Sequence, residues 1–146
     1  MAANTLPIYS KAPDVEWGAT DGNAGAAGPL KTANTAKDGT GTVLTVFTAD
    51  ATNGGFVYKL IARAVGTNTT SVLRIFINNG STNATLANNS LIAELNLPGT
   101  TLSETVAQPD YEKDLNIALP AGYKINVTLG TTVAAGYQVS VVGGIY

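Results

Sequence analysis

From Val43 to Tyr146 the chain alternates apolar and polar residues in short runs, each closed by glycine, proline or asparagine. The clearest run is Tyr123 to Leu129. Tyr123, Ile125, Val127 and Leu129 fall on one face, and Lys124, Asn126 and Thr128 on the other. A period of two is what a half-buried strand of an antiparallel sheet requires. The pattern recurs with no stretch of helical period between repeats. It comes after a glycine-, alanine-, threonine- and asparagine-rich segment, residues 1–42, that shows no period at all. The expected organisation is an extended N-terminal arm over residues 1–42 and one β-domain over residues 43–146.

Seven strands can be read directly, over Val43–Thr48, Phe56–Val65, Val72–Asn78, Leu91–Leu97, Leu115–Leu119, Tyr123–Leu129 and Gly136–Val142. Within the second, Tyr58, Leu60, Ala62 and Ala64 are expected to face inward; within the fourth, Leu91, Ala93, Leu95 and Leu97. The short Pro120-Ala121-Gly122 gap predicts a hairpin between the fifth and sixth. The expected core is Leu44, Val46, Leu60, Leu73, Ile75, Leu95, Ile117, Ile125, Val127, Val139 and Val141. Strands this short at this spacing suit an all-β sandwich or jelly-roll-like domain of about seven or eight antiparallel strands.

Composition narrows the partners. Charged residues make up 12% of the chain, about half the usual share of roughly 25%. Twenty threonines and thirteen asparagines stand in their place. A neutral-polar surface suits close contact with other protein, because few charges must be desolvated. A net charge of -2 gives no electrostatic case for nucleic acid or an anionic membrane. No apolar run approaches the length of a membrane span, and no secretory signal is expected in the first twenty residues. Asn-x-Ser/Thr sequons at Asn68, Asn79, Asn83, Asn88 and Asn126 are the chance yield of such a composition, so glycosylation is not expected.

The chain lacks most residues that do chemistry. Without cysteine there is no disulfide, thiolate ligand or thiol nucleophile, and without histidine no imidazole base or ligand. No catalytic residue, metal site or cofactor is expected, and the chain reads as a non-enzyme. The one dense acidic group is Asp110-Tyr111-Glu112-Lys113-Asp114, ahead of the fifth strand. At strand spacing its three carboxylates would share a face and could hold Ca²⁺. Lys113 interrupts the run, which favours a solvated loop face. Gly25-Ala26-Ala27-Gly28 and Gly39-Thr40-Gly41 lack the lysine-serine tail and the helix of a phosphate loop.

What remains is binding. Ile8, Tyr9, Val15 and Trp17 are the large apolar residues of the arm, and they suit anchors that dock on a partner surface. Residues 1–38 have too little apolar content to support the core, so the arm is expected to dock the protein without contributing to its fold. Ile61, Arg63, Val72, Arg74, Phe76 and Ile92 fall opposite the core face. Two readings are open there: an oligomer interface, or a face covered by a second packed sheet.

Several segments carry a resemblance. They are Val46-Phe47-Thr48-Ala49, Gly66-Thr67-Asn68, Val72 to Gly80, Leu119-Pro120-Ala121-Gly122-Tyr123, Gly130-Thr131 and Gly143-Gly144-Ile145-Tyr146. Together they resemble the capsid decoration (cement) proteins of tailed bacteriophages and related small virion proteins. The resemblance spans residues 35–146 and rests on turn and strand signatures, so no functional residue carries over. It implies a β-sandwich or jelly-roll subunit, a homotrimer, on the outer surface of the virion capsid, with the major capsid protein as partner. The alternative is a receptor- or glycan-binding module of a tail fibre or baseplate, with Tyr111 beside Asp110 and Asp114 as its candidate site.

Overall fold

Glycine and asparagine turns cut the alternating stretch into strands too short to bury an apolar face alone, so they stack as two layers. The computed structural model describes residues 29–146 and, as backbone, Ala12–Trp17. Ile8 and Tyr9 lie outside the described residues. The strands are β1 (Ala12–Trp17), β2 (Leu44–Thr48), β3 (Gly55–Ala64), β4 (Ser71–Asn78), β5 (Asn89–Leu97), β6 (Asp110–Leu119), β7 (Lys124–Leu129) and β8 (Tyr137–Ile145). Sheet one runs β1-β8-β3-β6 and sheet two β2-β7-β4-β5. Every strand pair is antiparallel. The domain is all-β, built as a two-sheet sandwich.

Among the described strands, only β4 and β5 are both consecutive and bonded to each other. The hairpin expected across Pro120-Ala121-Gly122 is therefore not formed: β6 pairs with β3, while β7 pairs with β2 and β4. Gly122, at a φ of 73°, turns the chain from one sheet to the other, and its amide bonds the Asp50 carbonyl of the neighbouring corner.

Inner-face residues build one core. Val46, Leu60, Leu73, Ile75, Ile125, Val127 and Val141 are buried as expected. Leu95 and Ile117 are only half-buried, because β5 and β6 are the outermost strands of their sheets. Bulges account for the departures from simple alternation. An extra residue at a bulge moves the succeeding residues to the opposite face. The β3 register shifts between Val57 and Lys59. Val57 is buried in consequence, and Tyr58, expected inside, is 49% exposed. A shift opposite Ile75 and Phe76 likewise leaves Leu91 exposed on β5. In β2 a shift between Thr45 and Phe47 lets Val46 and Phe47 both enter the core.

Gly143 permits a close approach between β8 and β3. A Cβ there would run into the Phe56 carbonyl oxygen, which belongs to the neighbouring backbone and cannot rotate away. Gly143→Ala is expected to destabilise the domain by about 1–3 kcal/mol. Urea denaturation would register this as a lower midpoint, and an unchanged midpoint would contradict the packing.

The expected 1–42 arm is not uniformly an arm. β1 lies at the edge of sheet one, antiparallel to β8, with Val15 opposite Val142 and Trp17 opposite Ser140. Pro29 to Thr42 then straps the sandwich. Leu30 exchanges two backbone hydrogen bonds with Tyr137. The Asn34 amide donates to the Leu129 carbonyl at 2.8 Å, and the Val133 amide donates to that of Lys31. These bonds tie the strap to both sheets, so residues 29–38 belong to the fold. Backbone pairing of this kind leaves no periodic trace in composition.

Candidate functional site

The outer face of sheet one carries paired charges. β6 begins at Asp110, earlier than expected, so the acidic run is strand and not loop. Asp110, Glu112 and Asp114 face outward, where β3 presents Lys59 and Arg63 opposite. Lys59 Nζ donates to Glu112 Oε2 at 2.8 Å, and Arg63 donates through Nε and Nη2 to both Asp110 oxygens. Among the described residues, no group of three or more acidic side chains converges as metal ligands would. Tyr111 lies on the inner face, edge-on to buried Tyr137 with ring centroids 6.2 Å apart. Its strand position puts it on the face opposite Asp110 and Asp114, so these three do not form the sugar site proposed for them.

These pairs set the pH response. The Arg63 hydrogen bond holds the Asp110 carboxyl below its usual range, and the Thr40 hydroxyl does the same for Asp38. The Glu112 hydrogen bond pushes the Lys59 ammonium up. A depressed carboxylate stabilises above its unfolded pKa, near about 4, and that contribution is lost as pH falls through the lower folded value. A raised lysine stabilises below its unfolded pKa of about 10.4 and loses its contribution as pH rises through the folded value. The groups are exposed, so each contribution is small. With no histidine present, the melting temperature should be flat from about pH 5 to 9 and fall outside that range. Melts in a buffer series would check this, and a step near neutrality would contradict it.

The outer face of sheet two is organised by asparagines. Asn34 Nδ2 donates to the carbonyls of Thr40 and Thr42, and its Oδ1 accepts from the Ala36 amide, so one side chain closes the strap loop. Asn83, from the β4–β5 connection, donates to the carbonyls of Gly39 and Gly41 and holds the loop down. Beneath lies Phe76, fully buried, with a Cβ on Gly39 reaching within 3.0 Å of its ring. Gly39 has a φ of 80° and leaves no room for a side chain.

Beside Phe76 the same face opens into a cavity of about 320 Å³. Thr45 of β2, Asn78 of β4, and Lys124 and Asn126 of β7 line it from the sheet. Gly41 to Val43 and Ser81 to Asn83 contribute from the two loops. The Thr45 hydroxyl donates to Asn126 Oδ1 at 2.8 Å. Asn78 is held by its own bonds, donating to Asn89 Oδ1 and accepting from the Gly80 amide. The lining side chains are amides, hydroxyls, one ammonium and Val43, without an aromatic ring.

The residues expected to form an oligomer interface do not form one patch. Ile61, half-buried, and Arg63, exposed, sit on the outer face of sheet one. Val72 and Arg74 are half-buried on sheet two, where Arg74 donates to Glu94 at 3.0 Å. Ile92 stands exposed at the β5 irregularity. Phe76 points outward as expected, but the chain's own strap covers it, so it offers no surface to a partner. Of the proposed anchors, Val15 and Trp17 fall in β1, and Ile8 and Tyr9 fall outside the described residues. The cavity was missed from sequence. Its only signal is the polar face of β7, Lys124 and Asn126, and nothing in the periodicity says which loops fold beside it. Comparison with protein-family models and with curated proteins finds no match to this chain.

Proposed function

We propose that this chain is a structural, non-enzymatic protein of a bacteriophage virion, a cement protein that decorates the capsid and bridges major-capsid subunits as a homotrimer. The strand order is the observation that carries the reading. Sheets ordered 1-8-3-6 and 2-7-4-5 support a jelly-roll reading of the sandwich, an architecture that viral capsid domains use. Architecture alone does not define function; the resemblance carried by the strand and turn segments supplies the second support. The surface is compatible with docking on protein. Leu86, Leu102 and Val106 stand exposed on connecting segments among neutral-polar neighbours, which suits contacts that desolvate few charges.

Mass action supplies the mechanism. A subunit that binds only the expanded, assembled shell stabilises that state, and contacts repeated with the capsid symmetry add avidity. The test is co-sedimentation of the full-length protein, and of a variant lacking residues 1–11, with undecorated phage heads. Full-length protein is expected to bind saturably to heads and not to free capsid protein. The shortened variant is expected to bind more weakly, because Ile8 and Tyr9 are gone. Absence of binding by the full-length chain would contradict the proposal.

A further inference from the structure

On sheet one Lys59 and Arg63 are paired with Glu112 and Asp110, whereas two groups in the sheet-two cavity are left open. Lys124 has no acidic partner among the described residues. Asn126 is 3% exposed and its Oδ1 is taken by Thr45, but its Nδ2 has no partner among the described residues. Among the described residues the buried side-chain atom left without a partner is Thr128 Oγ1, so Asn126 Nδ2 is open to the cavity it lines and can donate to a ligand there. Lys124 and Asn126 are two apart on β7, so they share a face about 7 Å apart along the strand. The cation and the amide donor thus address two ends of one small molecule.

We propose that this cavity binds an acidic sugar, a monosaccharide unit that carries a carboxylate. Lys124 takes the carboxylate, and Asn126 Nδ2 donates to a ring substituent. At the mouth, Asn83 has both amide protons committed to Gly39 and Gly41, which leaves its Oδ1 as the acceptor it can offer to sugar hydroxyls. The Ser81 hydroxyl supplies a further partner beside it. A volume of about 320 Å³ falls at the small end of ligand pockets, about 300–1,000 Å³, and suits one sugar residue. With no aromatic ring for stacking, charge and hydrogen bonds set the choice, which disfavours neutral sugars. Phosphate sites gather arginine forks or helix N-termini, and this cavity has one lysine on extended backbone. The site is independent of whether the protein sits on a capsid.

The experiment is titration of the full-length protein with glucuronic acid, followed by saturation-transfer NMR and calorimetry, with glucose and inorganic phosphate as counter-probes. Glucuronic acid is expected to bind. Lys124→Gln is expected to weaken that binding by about tenfold or more. Ser81→Trp, at the exposed rim, is expected to abolish it by filling the mouth while leaving the melting temperature unchanged. Glucose and phosphate are expected to bind at least about tenfold more weakly. The proposal is overturned if glucuronic acid does not bind, if Lys124→Gln binds it equally well, or if phosphate binds as tightly and the site is a simple anion site.

Discussion

Phe76→Ala is expected to destabilise the folded subunit by about 3–5 kcal/mol. Alternation places Phe76 on the outside of β4, where it reads as a contact for another subunit. The structure covers it with Gly39 and the strap, leaving the ring with no exposed surface. Removing the ring would open a cavity that cannot close cheaply, since Asn34 and Asn83 together pin the overlying loop with five hydrogen bonds. In a domain this size the melting temperature should fall by roughly 10 °C or more. Lys37, exposed on the strap, should become more susceptible to trypsin. Thermal melts and limited proteolysis check both effects. A variant of unchanged stability but altered oligomeric state would instead restore Phe76 to an interface.

Asn68→Ala is expected to cost roughly 3–5 kcal/mol by a different route. Asn68 is 5% exposed and uses its whole side chain. Nδ2 donates to the carbonyls of Gly66 and Gly136, while Oδ1 accepts from the amides of Ala135 and Gly136. Its backbone exchanges two further bonds with Thr100, whose hydroxyl returns to the Gly66 carbonyl. One residue thereby joins the β3–β4, β5–β6 and β7–β8 connections at one end of the sandwich. Alanine would leave the Ala135 and Gly136 amides without their partner, while the Gly136 carbonyl keeps the Val65 amide, and a buried orphan costs more than a bond contributes. Asn68→Asp keeps both acceptor bonds but turns a second oxygen toward the Gly66 and Gly136 carbonyls, so it should recover part of the loss only at low pH, where the protonated carboxyl can donate. Chemical denaturation of the two variants at low pH measures the difference, and equal stabilities would contradict the assigned bonding. Because its amide is fully bonded, Asn68 is also unavailable as a glycan acceptor despite its sequon.

The inner faces were legible because burial on one side imposes a period of two. Leu60, Leu73, Ile75, Ile125 and Val127 stand where alternation puts them. Tyr58 and Leu91 do not, because a bulge adds one residue without disturbing composition. A three-residue gap cannot distinguish a hairpin from a corner between sheets, so the spacing predicts a hairpin where β6 and β7 belong to different sheets. The strap was opaque for another reason. Its order comes from Asn34, Asp38 and Asn83 bonding backbone groups, and Asn83 acts from 42 and 44 residues away. The polar cavity shares that origin. Lys124 and Asn126 could be assigned to the outer face of β7, but not the loops that rise beside them.

The most direct measurement of the functional proposal is the location and abundance of the chain in purified virions. Particles banded in a density gradient, separated into heads and tails and mapped by quantitative peptide mass spectrometry, would give both. A capsid-bridging protein is expected in the head fraction at a copy number that scales with the major capsid protein. It should also be released as an intact trimer by conditions that leave the shell assembled. A handful of copies confined to the tail fraction, or none in the particle, would contradict the account.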